Sequence, residues 1–74
     1  MESEIKTLIG KRIVIARVEQ GLTQKALADK INSDQRTLST WEHGKHDPGV
    51  ITLYKLATAL RKDLGWFVQP FEAN

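Results

Sequence analysis

An all-α fold of five short helices is what this 74-residue chain predicts, and three observations carry the prediction. Apolar residues recur at intervals of three and four, the spacing that lines one face of an α-helix. No stretch of useful length alternates apolar and polar residues as a half-buried strand would. Turn-forming residues at Gln20-Gly21, Asn32-Ser33-Asp34, Gly44, Asp47-Pro48 and Pro70 cut the periodic segments to helix-sized pieces.

The first helix is read from Ile5, Leu8, Ile9, Ile13 and Ala16, which share helical spacing. Ser3 is its expected N-cap, residues 1–4 form a leading tail, and Gly21 supplies the left-handed residue that ends it. Thr23 caps a second helix of about two turns, Gln24 to Ile31, and Leu22 ahead of the cap is placed to pack on Leu27 as a hydrophobic staple. Asn32 offers the left-handed residue of the next joint. Asp34 caps a third helix running to about His43, closed by Gly44. Asp47-Pro48 reads as a cap and first-turn proline, opening a fourth helix with Val50, Leu53, Leu56, Ala57 and Leu60 inward. Asp63 caps a last short helix, Leu64 to Val68, that Pro70 stops, leaving 69–74 as a tail. The whole is one domain over residues 5–68.

Size and composition exclude several classes. Surface scaling leaves about 4,600 Å² exposed of roughly 12,000 Å² in the unfolded chain, a low burial that a partner subunit would supplement. The absence of cysteine removes a disulfide scaffold, a Cys-ligated zinc site and a thiol nucleophile. The longest uncharged stretches, such as Leu64 to Phe71, fall far short of the ~20 apolar residues of a membrane helix. Glu2 and Glu4 have the wrong polarity for a secretory leader, so a cytoplasmic protein is expected. Eleven basic against nine acidic side chains give +2, which names no partner. The acid-free run bearing Lys6, Lys11, Arg12 and Arg17 suits a solvated helix face more readily than an anion site. His43 and His46, three apart beside Asp47, fall short of a closed zinc site. Nothing near them supplies a nucleophile or an oxyanion site. The chain is therefore expected to be no enzyme and to carry no metal or cofactor.

Thr23 to Trp41 is the informative stretch, a helix-turn-helix unit spanning about residues 23–42. Ala26 and Ala28 are small where a second helix would cross. In the third helix Leu38 and Trp41 point inward, while Gln35, Arg36, Ser39 and Thr40 form one outward stripe. A plain surface helix would mix Glu and Lys there. This stripe instead holds short or planar hydrogen-bonding groups, the types that read base edges in the major groove, and a merely polar surface remains the competing account. Gln24 and Lys25, at the start of the preceding helix, sit where a phosphate can be held.

Gly21-Leu22-Thr23-Gln24, Leu27-Ala28, Trp41-Glu42-His43-Gly44-Lys45 with Pro48, and Leu53 with Leu56-Ala57 together resemble the phage-repressor and Cro class of helix-turn-helix domains, the XRE type. The likeness covers roughly Ile9 to Phe67. It implies a compact lambda-repressor-like domain of five helices that binds operator DNA as a two-fold dimer. By the same resemblance Thr23 and Gln24 contact phosphates, and Gln35, Arg36, Ser39 and Thr40 read bases. Lys45 meets the DNA backbone, with His43 close by. Arg17 and Glu42 match an internal ion pair tying the first helix to the end of the third. Two positions depart from the pattern: Asn32 stands where glycine is common, and Asp34 where Ser or Thr is common.

Three of the five aromatic residues lie between positions 66 and 71. Phe67 is expected to close the core, and Trp66, Val68 and Phe71 to form a dimer seam. The resulting expectation is a sequence-specific double-stranded-DNA-binding regulator, most simply a homodimeric repressor. The alternative is an antitoxin-like module of the same fold that engages a partner protein.

Overall fold

The computed structural model describes residues 2–71 and contains four α-helices and one 3-10 helix: α1 Glu2–Glu19, α2 Gln24–Lys30, α3 Gln35–Glu42, α4 Val50–Leu60, and the 3-10 helix Leu64–Val68. No strand occurs among the described residues. The expected all-α architecture is present, with its fifth helix wound as a single 3-10 stretch.

One apolar core holds the elements together. Ile9, Ile13 and Ala16 enter it from α1, Leu27, Ala28 and Ile31 from α2 and its C-terminal residue, Leu38 and Trp41 from α3. Leu53, Leu56, Ala57 and Leu60 come from α4, and Phe67 is wholly enclosed. Leu22 packs on the same cluster, which fits the staple expected across the Thr23 cap. α1 lies against both α3 and the 3-10 helix, and α2 lies on α3.

All four α-helices end the same way, with paired backbone bonds closing on a left-handed residue. At the end of α1 the Leu22 N–H donates to the Arg17 carbonyl (3.0 Å) and the Gly21 N–H to that of Val18 (2.9 Å). The ends of α2, α3 and α4 repeat this around Asn32 (φ 59°), Gly44 (φ 73°) and Arg61 (φ 60°). Asn32 therefore performs the turn for which glycine is the common choice.

Several starts differ from expectation. α1 already runs from Glu2, taking in three of the four residues read as a tail, so Ser3 lies within the helix and is not its N-cap. Ile5 lies on its exposed side. α4 begins at Val50, after an N-cap at Gly49 (φ 84°), rather than at Asp47-Pro48. The cause is local: the Asp47 carboxylate accepts the Gly49 N–H at 2.9 Å, an Asx turn that competes with helix initiation. Val50 is consequently 68% exposed instead of inward, beside exposed Ile51 and Tyr54. Asp63 precedes the 3-10 helix in extended conformation without capping it through its side chain. Of the tail expected at 69–74, residues 72–74 lie outside the described residues.

Candidate nucleic-acid interface

The helix-turn-helix unit is fixed at both helix starts by side-chain caps. Thr23 Oγ1 accepts the Ala26 N–H at 3.0 Å, and Asp34 Oδ1 accepts the Thr37 N–H at 2.7 Å. The Thr37 backbone N–H, then its hydroxyl, holds the Asp34 carboxyl below its ordinary range, with Arg36 adding a smaller contribution. Asp34 thus has a defined structural role as an ionised cap of α3. Ala28 is buried at the joint and Ala26 half-buried, as small residues there require.

Leu38 and Trp41 anchor α3 in the core, which turns its opposite face outward. Gln35 and Arg36 are exposed on that face, and Ser39 and Thr40 half-buried beside them. The Thr40 hydroxyl donates back to the Thr37 carbonyl at 2.7 Å, leaving its oxygen and methyl as the groups to offer. His43 Nδ1 lies 2.8 Å from the Ser39 carbonyl and 3.3 Å from Ser39 Oγ. A carbonyl only accepts, so this bond assigns the ring proton to Nδ1 and leaves Nε2 an acceptor in the neutral ring. Lys45 is exposed in the loop after α3, its N–H held by the Thr40 carbonyl at 3.0 Å. Lys25 is exposed and pairs with Asp29 at 3.3 Å, a surface contact weak enough to exchange for another anion.

Behind this face sits the ion pair expected from the sequence. Arg17 Nε donates to Glu42 Oε2 at 2.7 Å and Arg17 Nη2 to Oε1 at 3.3 Å, while Nη1 donates to the Leu22 carbonyl at 2.9 Å. The Glu42 side chain is 3% exposed and that of Arg17 16%. Gln24, read from the sequence as a phosphate contact, is half-buried and bonded on both sides within its own chain. Its Nε2 donates to Glu42 Oε1 at 2.7 Å, and its Oε1 accepts Gln35 Nε2 at 3.3 Å. A short polar chain therefore runs from the interior to the exposed end of α3.

Two more residues matter that sequence reasoning missed. Gly10 lies where α1 meets the end of α3: a Cβ there would stand 2.5 Å from the Trp41 carbonyl oxygen and 2.6 Å from that of Glu42. A lone glycine inside an apolar helical pattern was the available signal. Arg12 holds the C-terminal segment. Its guanidinium donates to the Gln69 carbonyl at 2.8 Å and lies 4.8 Å from the Trp66 ring centre and 4.1 Å from that of Phe71. Lys62 stands 4.4 Å from the Trp66 ring, which meets Phe67 edge-on at 5.1 Å. Trp66 is thus half-buried within its own chain, whereas Val68 and Phe71 are exposed. No local pattern in the sequence couples Arg12 to residues nearly sixty positions away.

Among the described residues, no three His, Asp or Glu side chains come together as a metal-ligand set, and no helix is long and apolar enough to cross a membrane. Two capped helices joined by a left-handed turn, with an exposed polar face on the second, define a helix-turn-helix domain of the DNA-binding type. The chain belongs to the HTH_3 helix-turn-helix family, whose model matches residues 13–67. It is 40% identical over 57 residues to the HTH-type transcriptional regulator y4dJ of Sinorhizobium fredii, itself uncharacterized, covering 77% of this chain and 74% of that one. It is also 39% identical over 57 residues to multiprotein-bridging factor 1 of Candida albicans, covering 77% of this chain and 38% of that protein. Among solved structures, the restriction-modification controller protein C.AhdI of Aeromonas hydrophila superposes with a TM-score of 0.82 at 26% identity, over 88% of this chain and 94% of that one.

Proposed function

We propose that this regulator is a repressor that binds a palindromic operator as a homodimer, with α3 in the major groove. The observation carrying the reading is the outward stripe of exposed Gln35 and Arg36 with half-buried Ser39 and Thr40, which bears one cation and no carboxylate. Arg36 suits a guanine edge, Gln35 an adenine edge, and Ser39 and Thr40 several partners. Thr23, Lys25 and Lys45 surround that stripe as phosphate contacts, with His43 close by, and Gln24 acts from behind through Gln35. Dimerisation is assigned to the surface bearing Val68 and Phe71, with Trp66 beneath. Their exposure, together with that of Leu64, supports a second copy as the cover. A two-fold dimer sets its recognition helices about 34–36 Å apart, one turn of DNA.

The test is selection of bound duplexes from a randomised library at about 150 mM salt, near the physiological screening regime, with wild type beside Arg36→Ala. Wild type is expected to recover a palindrome. Arg36→Ala is expected to relax one symmetric base pair at a cost of about 1–3 kcal/mol. Equal loss on every sequence would refute the role given to Arg36. Lys45→Ala should weaken all sequences alike and flatten the salt dependence.

A second reading is an antitoxin-like or other protein-binding module of the same fold. Exposed Val50, Ile51 and Tyr54 on α4 favour it, as does the likeness to a protein named as a multiprotein-bridging factor. Stoichiometric co-purification of a second polypeptide, with no duplex enriched, would select this alternative.

A further inference from the structure

We infer that Glu42, beyond pairing with Arg17, is a positioning residue that sets which end of the Gln35 amide faces outward and so helps select the base Gln35 accepts. The inference rests on the reading of Gln35 as a base contact.

The argument follows donors and acceptors from the inside out. An ionised carboxylate only accepts hydrogen bonds. Glu42 is almost fully enclosed and receives Arg17 Nε at 2.7 Å, Arg17 Nη2 at 3.3 Å and Gln24 Nε2 at 2.7 Å. Gln24 must therefore give its NH2 to Glu42 and turn its carbonyl toward α3. That carbonyl accepts from Gln35 at 3.3 Å, so Gln35 must point its own NH2 at Gln24. Each amide in the chain has one orientation that satisfies both neighbours, and the fixed end is the buried carboxylate.

The exposed end inherits the order. A glutamine meets adenine with one donor and one acceptor side by side, and the two edges must match in sequence. A free glutamine amide turns readily about its terminal torsion and offers either order. One tethered through Gln24 offers a single order before DNA arrives, which sharpens discrimination against bases that require the reverse. In Glu42→Gln one of the two oxygens becomes an NH2, although Arg17 donates to both and Gln24 to Oε1. The amide chain then loses its fixed accepting end, and Gln35 is free to offer either order.

The experiment is selection from a randomised duplex library with the full chain: wild type, Gln35→Ala, Gln24→Met, Glu42→Gln and Arg36→Ala, each checked for folding by thermal melting. Gln35→Ala identifies the base pair that Gln35 reads, where wild type should discriminate by about five- to a hundred-fold. Gln24→Met and Glu42→Gln are expected to lower that discrimination at least about fivefold, while the pair relaxed by Arg36→Ala keeps its wild-type preference. Loss of fold alone would weaken every duplex together and leave these ratios unchanged. Gln24→Met spares the ion pair and decides the matter should Glu42→Gln fail to fold. Wild-type discrimination at the Gln35 pair in Gln24→Met would overturn the inference. If Gln35→Ala relaxes no pair, base reading by Gln35 fails instead, and the inference falls with it by a distinguishable result.

Discussion

Replacing Gly10 with alanine tests how closely α3 is held to the rest of the domain. At an ordinary helix-interior position the change would stabilise by about 1 kcal/mol, because glycine is the costlier residue to order. Gly10 is not ordinary. The added Cβ would lie 2.5 Å from the Trp41 carbonyl oxygen, 2.6 Å from that of Glu42 and 3.0 Å from the Glu42 carbonyl carbon. Every obstacle is backbone, so no side chain can swing aside. Restoring ordinary contact requires α1 and the end of α3 to separate by roughly 0.9 Å. Overpacking of this kind costs about 1–3 kcal/mol, and rigid backbone on both sides places it toward the upper end. After the gain in helix propensity the expected net loss is about 1–2 kcal/mol. Urea and thermal melts would read it, at about 4–8 °C per kcal/mol for a domain of this size. Gly65→Ala is the matched control, since nothing lies within 4 Å of its Cβ, and it should be neutral or slightly stabilising. A Gly10→Ala protein as stable as wild type would refute the close approach of α1 to α3.

Three further outcomes follow from other contacts. Arg17→Met should cost about 3 kcal/mol, the lower part of the range for breaking a buried pair because Arg17 keeps some solvent contact; a melt showing less than about 1 kcal/mol would refute a structural role for the pair. Arg12→Ala should speed amide hydrogen exchange across residues 66–71 while α2 and α3 keep their protection, and unchanged exchange there would refute the anchoring role. The Asp34 carboxyl is held below its unfolded value, so the unfolded chain binds the extra proton and the cap stabilises above about pH 3.9. That stability is lost as pH falls through the folded-state value. In a pH series, Asp34→Asn should therefore flatten part of the acid-side decline and change little near neutrality.

The helix order, the caps at Thr23 and Asp34, the turn at Asn32 and the inward face of α4 from Leu53 onward were legible because each depends on neighbours a few residues away. Capping and left-handed turns are local chemistry, and periodicity reports one helix face. The start of α4 was misread within that same short range, since Asp47 can cap a helix or close an Asx turn with equal chemistry. The outward stripe of α3 was legible as a list of residue types, but Thr40 spends its hydroxyl proton on its own helix, which no pattern of spacing conveys.

What the linear pattern could not carry is coincidence among distant segments. Arg17, Gln24, Gln35 and Glu42 come from three helices, and their bonds depend on how α1 and α2 converge on the end of α3. Reading Gln24 as a phosphate contact followed from its place at a helix start; its bonding within the chain follows from a buried carboxylate eighteen residues later. The same carboxylate meets both demands on α3. It binds the helix to the domain through Arg17, and it fixes the direction of the amide chain that ends at Gln35. Gly10 completes the arrangement by letting α1 come close enough for Arg17, two turns further on, to reach Glu42. On the proposed reading of Gln35 as a base contact, stability and base preference are coupled at this one junction, and substitutions there should move both, whereas substitutions at Arg36 should move preference alone.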